Sequence, residues 1–243
     1  MLVNLSENLK KYEINPLGFI QVGAHLGDEV SFFKKINLHA PIYLFEPQKE
    51  LYEKLKTKFY KDNSITIINT ALGDIQENSV MYKDINNDSQ SSSILQPKDH
   101  LKYHSYIKFE KDNEEIITIN TLDSYKIHNA NILCIDVQGY ELKVLNGSKN
   151  LLNKIDALLV EVNRKEMYEG CPHISEIDKF LSDFNLVRVV TKWWNGTIPW
   201  GDALYINRKK LSKLTILILK MQNYINQKSF TFFLLSKFKI LRK

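Results

Sequence analysis

The 243-residue chain predicts an α/β protein, a mostly parallel sheet with helices on both faces. Three observations carry this. Short apolar runs rich in β-branched and aromatic residues alternate with helical patterns, as a parallel sheet with crossover helices requires. The first run, Phe19-Ile20-Gln21-Val22, ends in a glycine turn, Gly23-Ala24-His25-Leu26-Gly27. The second, Ile42-Tyr43-Leu44-Phe45, ends in an acid, Glu46.

Taken in order, residues 1–17 read as a helical lead-in to an α/β domain spanning 18–207. Strands are expected at about 18–22, 42–46, 64–69, 131–137, 156–162, 186–191 and 202–207. Lys49 to Tyr60 forms a helix with Leu51, Tyr52, Leu55 and Phe59 on one face. A second helix is expected over about 140–152, and a third over Ser175 to Phe184 with Ser175 as N-cap. Between them, about 75–124 changes character. Ser79-Val80-Met81-Tyr82 and the alternating Glu115-Ile116-Ile117-Thr118-Ile119 suggest a β-rich insertion, with a long polar loop over Asp84 to Ser93. Trp193-Trp194-Asn195-Gly196-Thr197 reads as a hairpin tip leading into the last strand.

Charge is divided along the chain. Net charge is +5, but ten Lys and Arg follow Asp202 without a single acid, so the remainder carries −5. A nucleic-acid footprint over the body is therefore not expected. The tail, 208–243, punctuates apolar runs such as Leu214-Thr215-Ile216-Leu217-Ile218-Leu219 with lysines. That suits an interfacial helix on an anionic membrane, and equally a helix packed on the body or in a homodimer. No secretory leader and no apolar run of spanning length is evident. Cys134 and Cys171 lack metal-type spacing, and a reduced cytoplasmic setting is expected, peripheral at the membrane if the tail binds it.

A glycine turn at a strand end lets backbone approach a ligand, and an acid about 20 residues on can accept hydrogen bonds from ribose hydroxyls. A tight turn without a ligand is the plainer alternative. His25 stands where a dinucleotide fingerprint needs its middle glycine, and Asp28 and Glu29 put negative charge where a pyrophosphate would sit. A cofactor without phosphate, S-adenosylmethionine, fits these residues better.

The segment Ile135-Asp136-Val137-Gln138-Gly139-Tyr140-Glu141 is the most specific in the chain. Together with the glycine turn, Phe45-Glu46-Pro47, Asn69 to Asp74, Ser91 to Leu95, Thr121-Leu122-Asp123 and Leu159-Val160-Glu161, it resembles the FkbM family of S-adenosylmethionine-dependent methyltransferases. The match in order and spacing covers about 18–207. The resemblance implies a Rossmann-like class I methyltransferase fold, seven strands with the last reversed, and O-methylation of a hydroxyl, as on polyketides or surface-polysaccharide sugars. It implies a cofactor site of Gln21, Gly23, Ala24, His25, Gly27, Glu46, Pro47, Asn69, Ala71, Leu72, Ser92 and Asp136. In that site the Gly23 and Gly27 turn faces the methionine end, Glu46 the ribose and Asn69 to Leu72 the adenine. Two positions depart from the family, since an acid commonly stands at Gln21 and an asparagine at His25. Glutamine can hydrogen-bond the methionine amino group but cannot balance its charge.

Methyl transfer to a hydroxyl needs in-line alignment and a base. Asp136, Glu161 and His25 are the catalytic candidates. The two acids lie at the ends of strands expected to be neighbours, although one could cap a turn while the other pairs with Arg164. His173 is read as a plain loop histidine. His100 and His104 flank an apparent lid segment and either reach an acceptor or are simply exposed, and none of the three ranks above background. Trp193, Trp194 and Trp200 are read as either a sugar-stacking wall or packing. No metal is expected. The reading is an O-methyltransferase acting on a sugar or glycan hydroxyl. Its rivals are a nicotinamide-dependent oxidoreductase and an inactive, membrane-associated binding module.

Overall fold

The computed structural model describes residues 1–194 and 199–219, with side chains described for all of these except 110–114. In chain order the elements begin with α1 (Leu5–Lys11), β1 (Phe19–Val22), α2 (Glu29–Ile36), β2 (Ile42–Phe45), α3 (Lys49–Phe59) and β3 (Ile65–Ile68). β4 (Ala71–Leu72) follows, and the insertion supplies β5 (Glu77–Asp84), α4 (His100–Tyr103) and β6 (Phe109–Asn120). The chain then runs through β7 (Ile132–Ile135), α5 (Glu141–Asn146), α6 (Lys149–Leu152), β8 (Ala157–Asn163), α7 (Ile174–Ser182), β9 (Leu186–Trp193) and β10 (Trp200–Asn207).

Seven strands form one sheet in the order β3-β2-β1-β7-β8-β10-β9. β10 runs antiparallel to both neighbours, and the pairings of β1, β2, β3, β7 and β8 are parallel. This is the Rossmann-like sheet with a reversed last strand that the sequence predicts. β1, β7 and β8 are buried along their whole length, because helices cover both faces and leave no polar side to alternate with. On one face Ile20, Val22, Leu133, Ile135, Leu158 and Val160 pack beneath α5, α6 and α7. On the other, Phe19, Leu44, Ile132 and Leu204 meet α1, α2 and α3, with Phe19 stacked on Phe33 at 4.6 Å between ring centroids.

The chain winds from β1 outward to β3, then returns to β7 and winds the other way. The carboxyl ends of β1 and β7 therefore diverge into a crevice, the place where open α/β sheets bind ligands. A second, three-stranded sheet, β4-β6-β5, takes β5 and β6 from the insertion and rises beside that crevice.

Several boundaries differ from expectation. The helix expected over 140–152 is interrupted at Gly147-Ser148, where Ser148 Oγ turns back to donate to Val144 O at 2.6 Å. The helix expected from Ser175 starts at Ile174 with His173 as N-cap, its backbone N–H donating to the Glu176 carboxylate at 2.8 Å, so Ser175 lies inside the first turn. The strand expected to run to 137 stops at Ile135, which frees Asp136 from the ladder. Of the hairpin tip expected over Trp193 to Thr197, Trp193 ends β9 and residues 195–197 lie outside the described residues, as does the tail from residue 220. Before that point Leu211, Ile216 and Leu219 pack on the α1–α3 side, while Leu214 and Leu217 are exposed. Among the described residues no helix is long and apolar enough to cross a membrane.

Candidate active site

A cavity of about 450 Å³ opens at the β1/β7 switch. Its floor is the glycine turn. Gly23 and Ala24 both donate from the backbone to Phe45 O at 3.0 Å, so β1 and β2 are tied together just where the cavity begins. Gly23 adopts φ +78°, and a Cβ there would stand 1.8 Å from Asp136 O, so the β1 turn touches the end of β7.

Glu46 is almost fully buried. It accepts from the backbone N–H of His25 at 2.8 Å and of Gln48 at 2.9 Å, which aims its carboxyl along the cavity wall. Burial pushes its pKa up to about 7, the charge of Glu115 adds to the rise, and the two backbone donors oppose it. Asn69 donates to Glu46 O and Pro47 O at 2.9 and 2.8 Å, so it braces this turn from behind.

On the other side of the turn stand Asp136 and Glu161. Gln138 joins them: its Nε2 donates to Asp136 Oδ1 at 2.8 Å and to Glu161 Oε2 at 2.9 Å. Gln138 holds φ +54°, a left-handed conformation that a non-glycine residue adopts only when its surroundings require it. Its backbone carbonyl accepts from Ser93 Oγ at 2.7 Å, and the Tyr168 hydroxyl lies 2.9 Å from both Gln138 Oε1 and Ser91 O. Burial, and then the facing Asp136 charge and a hydrogen bond to it, raise Glu161 well above the usual carboxylate range; Glu141 and Asp202 add to this. The two carboxyls are thus joined through the Gln138 amide. Beneath them Glu141, fully buried, accepts from the N–H groups of Val137 and Gly139 at 3.2 and 3.0 Å and so fixes the turn that carries Gln138.

The polar loop over 84–93 forms the roof. The buried carboxylate of Asp84 accepts from the backbone of Asn87, Ser89 and Ser91 at 2.9, 3.1 and 2.6 Å, which gathers the loop around it. His25, at φ +48°, reaches up to this roof, with Nε2 2.6 Å from Asp88 O. Its ring thus bridges turn and loop, with its hydrogen-bond partner in the roof. The far wall is aromatic: Trp194 and Trp200 stack at 5.2 Å, and Trp200 Nε1 donates to His104 Nε2 at 3.3 Å. His100 packs at 5.1 Å from the Tyr168 ring. Burial and the neighbouring His104 push His100 down to about 4, and burial lowers His104 too, so both rings are neutral.

Of the residues proposed from sequence, Gln21, Gly23, Ala24, His25, Glu46, Pro47, Ala71, Leu72, Ser92, Asp136 and Glu161 line this one cavity. Two do not. Gly27 packs against Leu55 and Phe59 of α3, and Asn69 holds the chain behind Glu46. Arg164 lies over the Trp193 ring at 3.7 Å. Sequence reasoning missed Gln138, although it sits inside the segment singled out, and ranked His100 and His104 as background. It gave no signal for Tyr168, whose partners lie 30 and 77 residues away.

Comparison with known proteins places this geometry in a family. The family model described as a methyltransferase FkbM domain matches residues 21–186, which holds every cavity acid described above. The chain is 24% identical over 200 residues to the 2-O-methyltransferase NoeI of Sinorhizobium fredii (strain NBRC 101917 / NGR234), covering 78% of this chain and 79% of that protein. The crystal structure of methyltransferase FkbM from Methylobacillus flagellatus KT shares the fold with a TM-score of 0.52 at 12% identity, over 78% of this chain. This chain spans only 43% of the length of that one. S-adenosylmethionine, the cofactor of the matched family, fits the residues present. The acids Asp28, Glu29, Glu46, Asp136 and Glu161 line the cavity, and no Lys or Arg does among the described residues, which suits a sulfonium and an ammonium and opposes a phosphate. The buried Glu46 carboxyl also suits paired hydroxyl donors. The chain belongs to the FkbM family of methyltransferases.

Proposed function

We propose that the protein transfers a methyl group from S-adenosylmethionine to a hydroxyl of a sugar or glycan. The observation that carries this reading is the meeting of an Asp136–Glu161 pair joined through Gln138 with a Trp194–Trp200 platform at the far end of the same cavity. Stacked indoles give a flat apolar face for a pyranose ring. The relative NoeI, whose name states 2-O-methyl transfer, supports the choice of oxygen as acceptor.

When bound, the cofactor supplies an electrophilic methyl group on a sulfonium sulfur. The protein's residues do the rest. Burial and the Asp136 charge raise Glu161, and Gln138 donates one N–H to each carboxyl, which leaves an Asp136 lone pair to take the acceptor's hydroxyl proton as the O–CH3 bond forms and the S–CH3 bond breaks. The neutral His100 and His104 offer hydrogen bonds without drawing anions. Incubation with labelled S-adenosylmethionine and a panel of neutral glycans should move label into a carbohydrate product. Label found only on protein or nucleic acid, or tight binding of NAD without S-adenosylhomocysteine, would overturn the reading.

A pH signature belongs to Glu46. With its folded value raised from 4.5 to about 7, its contribution to stability is present below pH 4.5 and lost as pH rises through 7. Ribose hydroxyls donate to the ionised form. Affinity for S-adenosylhomocysteine should therefore rise by up to about tenfold from pH 6 to 8. In Glu46→Gln this contribution disappears, which separates it from Glu141, also raised to about 7. Parallel profiles in calorimetry would refute the assignment.

A further inference from the structure

Position 21 holds an amide, yet it is set where charge would be expected. Gln21 is 4% exposed and lines the cavity. Its Nε2 makes one long hydrogen bond, 3.4 Å, to Gly23 O, and its Oε1 is buried without any donor. A buried carbonyl oxygen in that state calls for a donor that the protein does not provide.

An unused acid stands nearby. Glu29 opens α2 immediately after the glycine turn, lines the same cavity, and has no ion-pair partner among the described side chains. Burial raises its pKa, its own backbone N–H and then the α-amino charge of Met1 oppose the rise, and the charges of Asp136 and Asp28 add smaller increments to it. It stands at the start of α2 and Gln21 on β1, the two elements that flank the glycine turn, and both side chains line the cavity. Cys134 is the register partner of Gln21 across β1 and β7, with its side chain on the same face, and the charge of Glu29 is the second cause, after burial, of the rise in its thiol pKa.

We propose that Glu29 and Gln21 Oε1 together seat the α-ammonium of the cofactor's amino-acid end, with the helix supplying the negative charge that the strand residue lacks. This rests on the S-adenosylmethionine reading. Gln21 contributes the acceptor and Glu29 the charge, no Lys or Arg lines the cavity among the described residues, and the α-amino group of Met1 is the protein's own cation acting on Glu29.

Calorimetry with two probes tests it: S-adenosylhomocysteine, and the analogue in which hydrogen replaces the α-ammonium group. The wild-type protein should prefer the first by at least about tenfold. Glu29→Gln should weaken S-adenosylhomocysteine binding by about 10- to 100-fold, the range for a hydrogen bond to a charged group, and the analogue by less than about twofold. Adding Gln21→Glu to that variant should restore the preference, and this recovery also shows that the variant folds. Equal weakening of both probes, no weakening, or no recovery in the double variant would overturn the proposal. If wild-type protein binds neither probe, the cofactor reading falls and takes this proposal with it.

Discussion

Asp136→Asn should lower turnover by about 10²- to 10⁴-fold, the usual contribution of a general base, while S-adenosylhomocysteine binding stays within about threefold. The substitution conserves shape. Asparagine can still accept from Gln138 Nε2 through its Oδ1, so the network that joins 136, 138, 161 and 168 keeps its connections. What it loses is the lone pair that takes the hydroxyl proton, because the atom replacing Oδ2 is a donor. Any rise in rate with pH that tracks ionisation of the pair should vanish in the variant. A loss confined to cofactor affinity would assign Asp136 to binding instead of proton removal. Full turnover would remove it from the site's chemistry altogether.

Gly23→Ala should destabilise the fold by about 2–5 kcal/mol and abolish measurable cofactor binding. The left-handed backbone costs about 1–2 kcal/mol for a residue with a Cβ. The clash is the larger effect: the new carbon would stand 1.8 Å from Asp136 O and 3.0 Å from its carbonyl carbon. Both are backbone atoms, which cannot rotate away as a flexible side chain would. Overpacking of this kind adds about 1–3 kcal/mol. Against a typical stability of about 5–15 kcal/mol the sum is large. Gly170→Ala is the control, since Gly170 also has positive φ, +71°, but nothing lies within 4 Å of its Cβ position. It should show only the backbone cost. Urea midpoints at unchanged slope read both, and equal losses at 23 and 170 would refute the clash.

These expectations depend on how the two carboxyls and the turn meet, and the sequence carried only part of that. The alternation of apolar runs and helical faces gave the seven-stranded sheet because burial on both faces leaves a local record, as in Leu158-Leu159-Val160. Glycines and strand-end acids gave Gly23, Glu46 and Asp136 because turn chemistry is also local. The register Cys134↔Leu159, which sets Asp136 beside Glu161, is a pairing of strands 25 residues apart and follows from the parallel packing of β7 on β8. The break at Gly147-Ser148 escaped notice because a helical pattern of apolar residues continues through it.

The roof shows the same division. The sequence reads 84–93 as a polar loop, correct in composition and silent about its shape. Asp84 turns that loop into a wall by collecting three backbone donors, and His25 and Tyr168 lock it to the body. Nothing in the spacing of these residues announces the contacts, since each partner comes from a different element.

The amino-acid sequence by itself determined the class of fold, the family, and the identity of most groups facing the cavity, because periodicity, turn residues and strand-end acids act over a few residues. The tertiary structure alone decided how those groups are charged. Glu161 is raised and His100 lowered by burial and by neighbours brought together by folding. Desolvation and Coulomb interaction depend on distance in space, which the order of residues along the chain does not contain.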